Sequence, residues 1–136
     1  MSDEAKTNIT AYEHIGGEET LRRLVNVFYD EMDKEERAKG IRDMHAKSLK
    51  SANQKLFMFL SGWLGGPQLY WEKFGHPRLR KRHLPFAIAE EARQEWMVCM
   101  NLALDEVVDD DEVKARLSSA FDQLAAHMRN TGSLAP

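Results

Sequence analysis

The constraint that most limits what this chain can fold into is a spacing. Apolar residues return every three or four positions through most of its length, a rhythm that places them on one face of a helix. Leu21, Leu24, Val25, Phe28, Tyr29 and Met32 form one stripe, on a helix predicted to begin after Gly16-Gly17. Leu56, Phe57, Phe59, Leu60, Trp63 and Leu64 form an almost wholly apolar second segment, which Gly65-Gly66-Pro67 must end. Ser51, with Gln54 three residues on, reads as the capping box that opens it. Trp96, Cys99, Met100, Ala103, Leu104 and Val107 mark a third stripe. Val113, Leu117, Phe121, Leu124, Ala125 and Met128 mark a fourth, and the carboxylates at 109–112 before it suit a helix N-terminus. No β-alternation persists and no repeat appears. The expectation is an all-α fold of four substantial helices with shorter pieces between them.

Composition narrows the functional classes. With 43% hydrophobic and 30% charged residues, the chain reads as a folded domain. A net charge of −3 makes the whole chain a poor binder of polyanions, so any nucleic-acid role would need a local patch. Cys99 is the single cysteine, which excludes an internal disulfide and a zinc site built on several thiolates. No apolar run approaches the roughly 18 residues of a bilayer span, and the polar first ten residues lack the apolar centre of a signal peptide. A soluble cytoplasmic protein is expected.

One stretch departs from the helical rhythm. In HPRLRKRHLPF at 76–86, His76 and His83 flank a run with four cations in five residues. Pro77 suits the first turn of a helix and Pro85 cannot sit inside one, so at most about two turns fit between them. On such a helix Leu79 and Arg80 share a face with His83. A solvated surface stripe, a nucleic-acid contact and a site for a carboxylate-bearing ligand all fit the cations. The nucleic-acid reading lacks interleaved aromatic residues, whereas arginine forks match carboxylates well. His83 has no second ligand at the spacing of a zinc helix. A cofactor that brings four ligands of its own needs only one imidazole, and haem also carries two propionates that attract cations. One histidine, a basic run and an excess of apolar helix surface fit together under that hypothesis.

Four motifs, in order, then carry a resemblance. They are YEHIGG at 12–17, VFYDEM at 27–32, LFMFLSGWLGGP at 56–67, and GHPRLRKRHLPF at 75–86 followed by EWMVCM at 95–100. Between about Tyr12 and Met128 the chain resembles the group II truncated haemoglobins. The resemblance implies a shortened globin, two helices packed over two around a b-type haem. It sets a globin domain at 11–130, between an N-terminal extension at 1–10 and a tail at 131–136.

The resemblance also implies residue roles. His83 matches the proximal iron ligand. Arg80, Arg82, Lys55 and Tyr70 are candidates to meet the propionates, and Phe28, Leu56, Phe59, Leu79, Phe86, Ile88 and Met100 to line the pocket. On the distal side Tyr29 and Trp96 match the family's hydrogen-bond donors, and His45 either donates or orients the tyrosine. Ala52 falls where many globins place a distal histidine, so that gate is missing here. The implied function is binding of oxygen, carbon monoxide and nitric oxide, with slow oxygen release. The alternative is a haem enzyme that removes nitric oxide or peroxide with electrons from an external reductase. No nucleic-acid partner is expected, and the protein is expected as a monomer or homodimer.

Overall fold

Thr10 opens the first helix of the computed structural model, which describes residues 9–78 and 90–128. Its hydroxyl accepts from the Glu13 N–H at 3.1 Å, while the Glu13 carboxylate accepts from the Thr10 N–H at 3.3 Å. This reciprocal cap starts α1 (Ala11–Ile15). Gly16, at φ 115°, turns the chain directly into α2 (Gly17–Lys34), which starts at the second glycine of the pair. A 3-10 turn (Glu36–Ala38) leads to α3 (Lys39–Met44). Then come α4 (Lys50–Trp63), the short α5 (Leu69–Phe74), α6 (Glu90–Val107) and α7 (Asp111–His127).

The four long helices carry the four predicted stripes, and the described residues contain no strand. α2 packs against both α4 and α6, and α6 packs against α7, giving two helices over two. Leu21, Leu24, Val25, Phe28, Leu60, Met100, Leu104 and Phe121 close the centre with almost no exposure. Asp110 caps α7 as the acidic run suggested, its carboxylate accepting from the N–H groups of Glu112 and Val113. Arg93 of α6 reaches Asp122 of α7 across the helix pair. Among the described residues no helix is long and apolar enough to cross a membrane.

Three local expectations need correction. α4 starts at Lys50, so Ser51 lies inside the helix and forms no capping box; the Lys50 N–H instead donates to the Ser48 hydroxyl at 3.3 Å. RDMHAK at 42–47 has the polar letters of a loop between the first two long helices, yet Arg42 to Met44 are helical and the chain turns away from His45 onward. Trp63 is not core: it stacks on Phe121 at 5.2 Å between ring centroids yet stays 37% exposed.

The two glycine motifs meet each other. The Tyr12 N–H donates to the Leu64 carbonyl at 2.9 Å, and a Cβ added at Gly66 would lie 2.5–2.7 Å from the Tyr12 ring. Gly65, at φ 96°, would place a Cβ 2.8 Å from that of Thr10. The turn after α4 thus needs bare backbone where the N-terminal segment crosses it. Gly66→Ala should lower stability by about 1–3 kcal/mol, the usual cost of overpacking, read as a reduced midpoint in denaturant.

Cys99 sits fully buried on α6, and burial, with the carboxylates of Glu31, Glu35 and Glu95 adding to it, pushes its thiol up to about 12. An unfolded thiol titrates near 9, so between pH 9 and 12 the unfolded chain loses a proton that the folded chain keeps. Stability must fall across that window. Cys99→Ala should show a shallower alkaline decline than the parent in denaturant midpoints at pH 8 and pH 10.5; equal declines would contradict this environment for the thiol.

Candidate functional site

Helix α4 has two apolar stripes. Phe57, Leu60 and Leu64 turn into the core and are buried. Ala52, Leu56, Phe59 and Trp63 follow one another at four, three and four residues, so they share a second face. Ala52, Leu56 and Phe59 pack against the core cluster yet remain only partly covered. Covering a leucine or phenylalanine fully is worth about 1.5–3 kcal/mol, so an incompletely covered row of them favours an apolar occupant. Lys55 stands exposed beside this face, three residues after Ala52 and four before Phe59.

The aromatic residues of α2 and α6 approach the same region. Phe28 meets Tyr29 edge to face at 4.9 Å and Trp96 at 5.1 Å, and Trp96 lies 6.0 Å from Phe121. His45 stands 6.0 Å from the Tyr29 ring, nearly perpendicular to it. The structure therefore gathers His45, Tyr29, Phe28 and Trp96 into one aromatic row. Within it Phe28 is fully buried, as is Met100, one helical turn on from Trp96 along α6. Tyr70, 8% exposed, lies 6.5 Å from the Phe59 ring, which brings α5 to the far end of the second α4 face. Leu79, Arg80, Arg82, His83, Phe86 and Ile88 lie outside the described residues.

Burial leaves Tyr29 only 8% exposed and raises its phenol well above the ordinary tyrosine range, so the hydroxyl keeps its proton. No hydrogen bond joins that hydroxyl or the indole N–H of the partly exposed Trp96 to another of the described residues, and neither atom is sealed from solvent without a partner. Donors of this kind normally find an acceptor when buried. Two donors without a protein partner beside a partly covered apolar face match the chemistry of a haem with a small polar ligand on one side. The residues present fit that group.

His45 shows a detail that spacing could not. Its Nδ1 lies 2.8 Å from the Ile41 carbonyl, which can only accept, so Nδ1 carries the proton. In the neutral ring Nε2 is then an acceptor, able to take the Tyr29 hydroxyl hydrogen and unable to donate to a ligand. Of the two roles open to His45, this geometry favours orienting the tyrosine.

Two residues that sequence reasoning missed hold this histidine in place. Glu95, immediately before Trp96, accepts from the Ile41 N–H at 2.9 Å and ties α3 to α6. Arg42 donates to the Ala46 and Lys47 carbonyls at 3.0 and 2.8 Å and to the Asp33 carboxylate at 2.8 Å, clamping the turn after His45. A charged residue next to a predicted site aromatic was the one available signal for Glu95; Arg42 gave none. Tyr29 also borders an open cleft of about 550 Å³ with Asn26, Asp30, Asp33 and Arg42 on its walls. Those walls are charged, unlike the apolar face of α4, and suit water better than a macrocycle.

Comparison with known proteins agrees with this geometry. Residues 10–130 match the model of the family described as bacterial-like globin. The group 2 truncated hemoglobin YjbI of Bacillus subtilis is 40% identical over 119 residues, covering 88% of this chain and 87% of that protein. The truncated hemoglobin of the Antarctic bacterium Pseudoalteromonas haloplanktis superposes with a TM-score of 0.87 at 49% identity, over 90% of this chain and 98% of the other. A group II 2-on-2 hemoglobin from Agrobacterium tumefaciens gives 0.87 at 38% identity, over 90% and 95% of the two chains. The chain belongs to the bacterial-like globin family as a group II truncated haemoglobin, a family whose shared property is haem-based gas binding.

Proposed function

We propose that this protein holds a b-type haem through His83 and binds oxygen, carbon monoxide and nitric oxide reversibly, releasing oxygen slowly. The observation that carries the reading is the pair of unclaimed donors, Tyr29 and Trp96, beside the partly covered face of α4. When bound, the haem supplies a ferrous iron that takes diatomic gases and draws negative charge onto them.

The chain's own residues do the rest. Ala52, Leu56 and Phe59 offer an apolar wall, and Phe28 and Met100 back the site from the core. Lys55, Tyr70, Arg80 and Arg82 are proposed to meet the propionates. Tyr29 stays protonated because its phenol is largely buried, so its hydroxyl can donate its hydrogen or accept one from another donor. Trp96 can only donate. His45, with Nδ1 committed to Ile41, holds the phenol by accepting from it or releases it to the ligand.

A hydrogen bond to a partly charged acceptor contributes about 1.5–3 kcal/mol, and about 1.4 kcal/mol corresponds to a factor of ten. Tyr29→Phe and Trp96→Phe should therefore each speed oxygen dissociation by about tenfold or more in stopped-flow measurements. Unchanged rates in both variants would remove the donor assignment. Carbon monoxide, a weaker acceptor, should respond less.

The proximal assignment has its own test. His83→Ala should lose its haem on purification, and free imidazole added during reconstitution should restore the spectrum by filling the missing ligand position. An ordinary haem spectrum in the variant without imidazole would place the iron ligand elsewhere.

A further inference from the structure

Charge is distributed very unevenly along this chain. Between Ser51 and Phe86 six cations, Lys55, Lys73, Arg78, Arg80, Lys81 and Arg82, stand against one carboxylate, Glu72; the stretch carries +5 in a chain of net −3, leaving −8 on the rest. The described part of this basic stretch also holds exposed aromatic surface. Trp71 is 49% exposed and Phe74 38%, both on the six-residue α5. The Lys55 and Lys73 ammonium groups lie 5.8 and 5.5 Å from the Phe74 ring centroid, and the His76 ring lies 4.8 Å from Trp71. Lys55, Lys73 and Arg78 have no carboxylate partner among the described residues.

Folding gives no account of this arrangement. A tryptophan and a phenylalanine left half in water lose the free energy that burial would return. Lys55 and Lys73, both close to the Phe74 ring and without a carboxylate partner among the described residues, repel one another. Apolar surface ringed by charge of one sign is the usual make-up of a protein docking site: the aromatic centre gives contact energy, and the rim steers a partner of opposite charge. The patch also adjoins the site. Phe74 lies 4.8 Å from Tyr70, and Lys55 sits on α4 beside the partly covered apolar face.

We propose that the surface formed by Trp71, Phe74, Lys73 and Arg78, next to Lys55, docks an acidic one-electron carrier protein of the ferredoxin type at the haem edge. The inference rests on the haem reading given above, because Tyr70 and Lys55 mark that edge only if the cofactor lies there. In the step that docking serves, the carrier gives one electron to ferric haem iron. Its iron–sulfur cluster is oxidised by one electron, the iron is reduced by one, no bond is made or broken and no proton moves. Such encounters are brief and small, typically under about 1,200 Å², which a patch of this size can supply.

The test is binding of an oxidised plant-type [2Fe–2S] ferredoxin to the haem-loaded full chain, followed by calorimetry. One-to-one binding is expected at about 20 mM salt, weakening at least about tenfold by about 200 mM as the charges are screened. Trp71→Ser and Lys73→Glu should each weaken it about fivefold or more. Lys39→Glu makes the same charge change on exposed α3 and should weaken it less than about twofold. Absence of saturable binding at low salt, or equal losses in Lys73→Glu and Lys39→Glu, would overturn the proposal. So would a DNA oligonucleotide binding as tightly through the same residues, which would make this a polyanion surface. The Soret band of each sample separates the two readings: haem-loaded protein that ignores the ferredoxin sinks the docking surface alone. Protein that takes no haem sinks the reading beneath it.

Discussion

The second apolar face of α4 is the constraint on which the rest of the molecule depends. A 14-residue helix that turned only Phe57, Leu60 and Leu64 inward would be an ordinary core element. This helix also presents Ala52, Leu56, Phe59 and Trp63 on another side, and the protein covers them incompletely. Covering the rest of that surface would add stability, which favours an apolar occupant. α4 packs on α2 and α5, α2 carries Tyr29, and α6, also packed on α2, carries Trp96 and Met100. The glycine turn that ends α4 and receives Tyr12 makes this possible by letting a short chain reverse without bulky side chains between its layers.

Polar groups around the space are organised by backbone as much as by side chain. His45 is committed through Nδ1 to Ile41, and Ile41 through its N–H to Glu95, the neighbour of Trp96. The histidine, the tyrosine it faces and the tryptophan across Phe28 are therefore linked by a short run of contacts that crosses three helices. A change at Glu95 would move His45 without touching it. With one ring nitrogen occupied by a carbonyl, His45 has one remaining nitrogen with which to answer Tyr29.

Much of this was legible in the residues. The periodicity of four stripes led to four long helices because burial on one face demands that spacing, and the acidic run before Val113 predicted a cap that Asp110 provides. Helix ends were less legible. Ser51 and Gln54 have the letters of a capping box, yet α4 gains more by starting at Lys50, and Ser48 serves the first N–H instead. The box at Thr10 and Glu13 went unnoticed because its helix is five residues long and buries no residue. Glu95 and Arg42 were invisible for a different reason: their partners are backbone groups distant in sequence or carbonyls in a turn, and neither leaves a pattern in the letters. Tyr29 and Trp96 stood out because each joins an apolar stripe while carrying a polar hydrogen that needs an acceptor.

Two complementary uses are proposed for the basic stretch that interrupts the helical rhythm. Its arginines are proposed to answer the negative edge of a cofactor, and its exposed flank an acidic partner. Both follow from a +5 segment in an otherwise acidic molecule. The most direct test of the central claim is a titration of cofactor-free protein with ferric haem, followed by tryptophan fluorescence and visible absorption together. The account predicts a sharp one-to-one end point, a narrow Soret band and strong quenching of emission that Trp96→Phe reduces. A gradual, non-saturating titration with emission little changed would mean that the open face of α4 serves some other occupant.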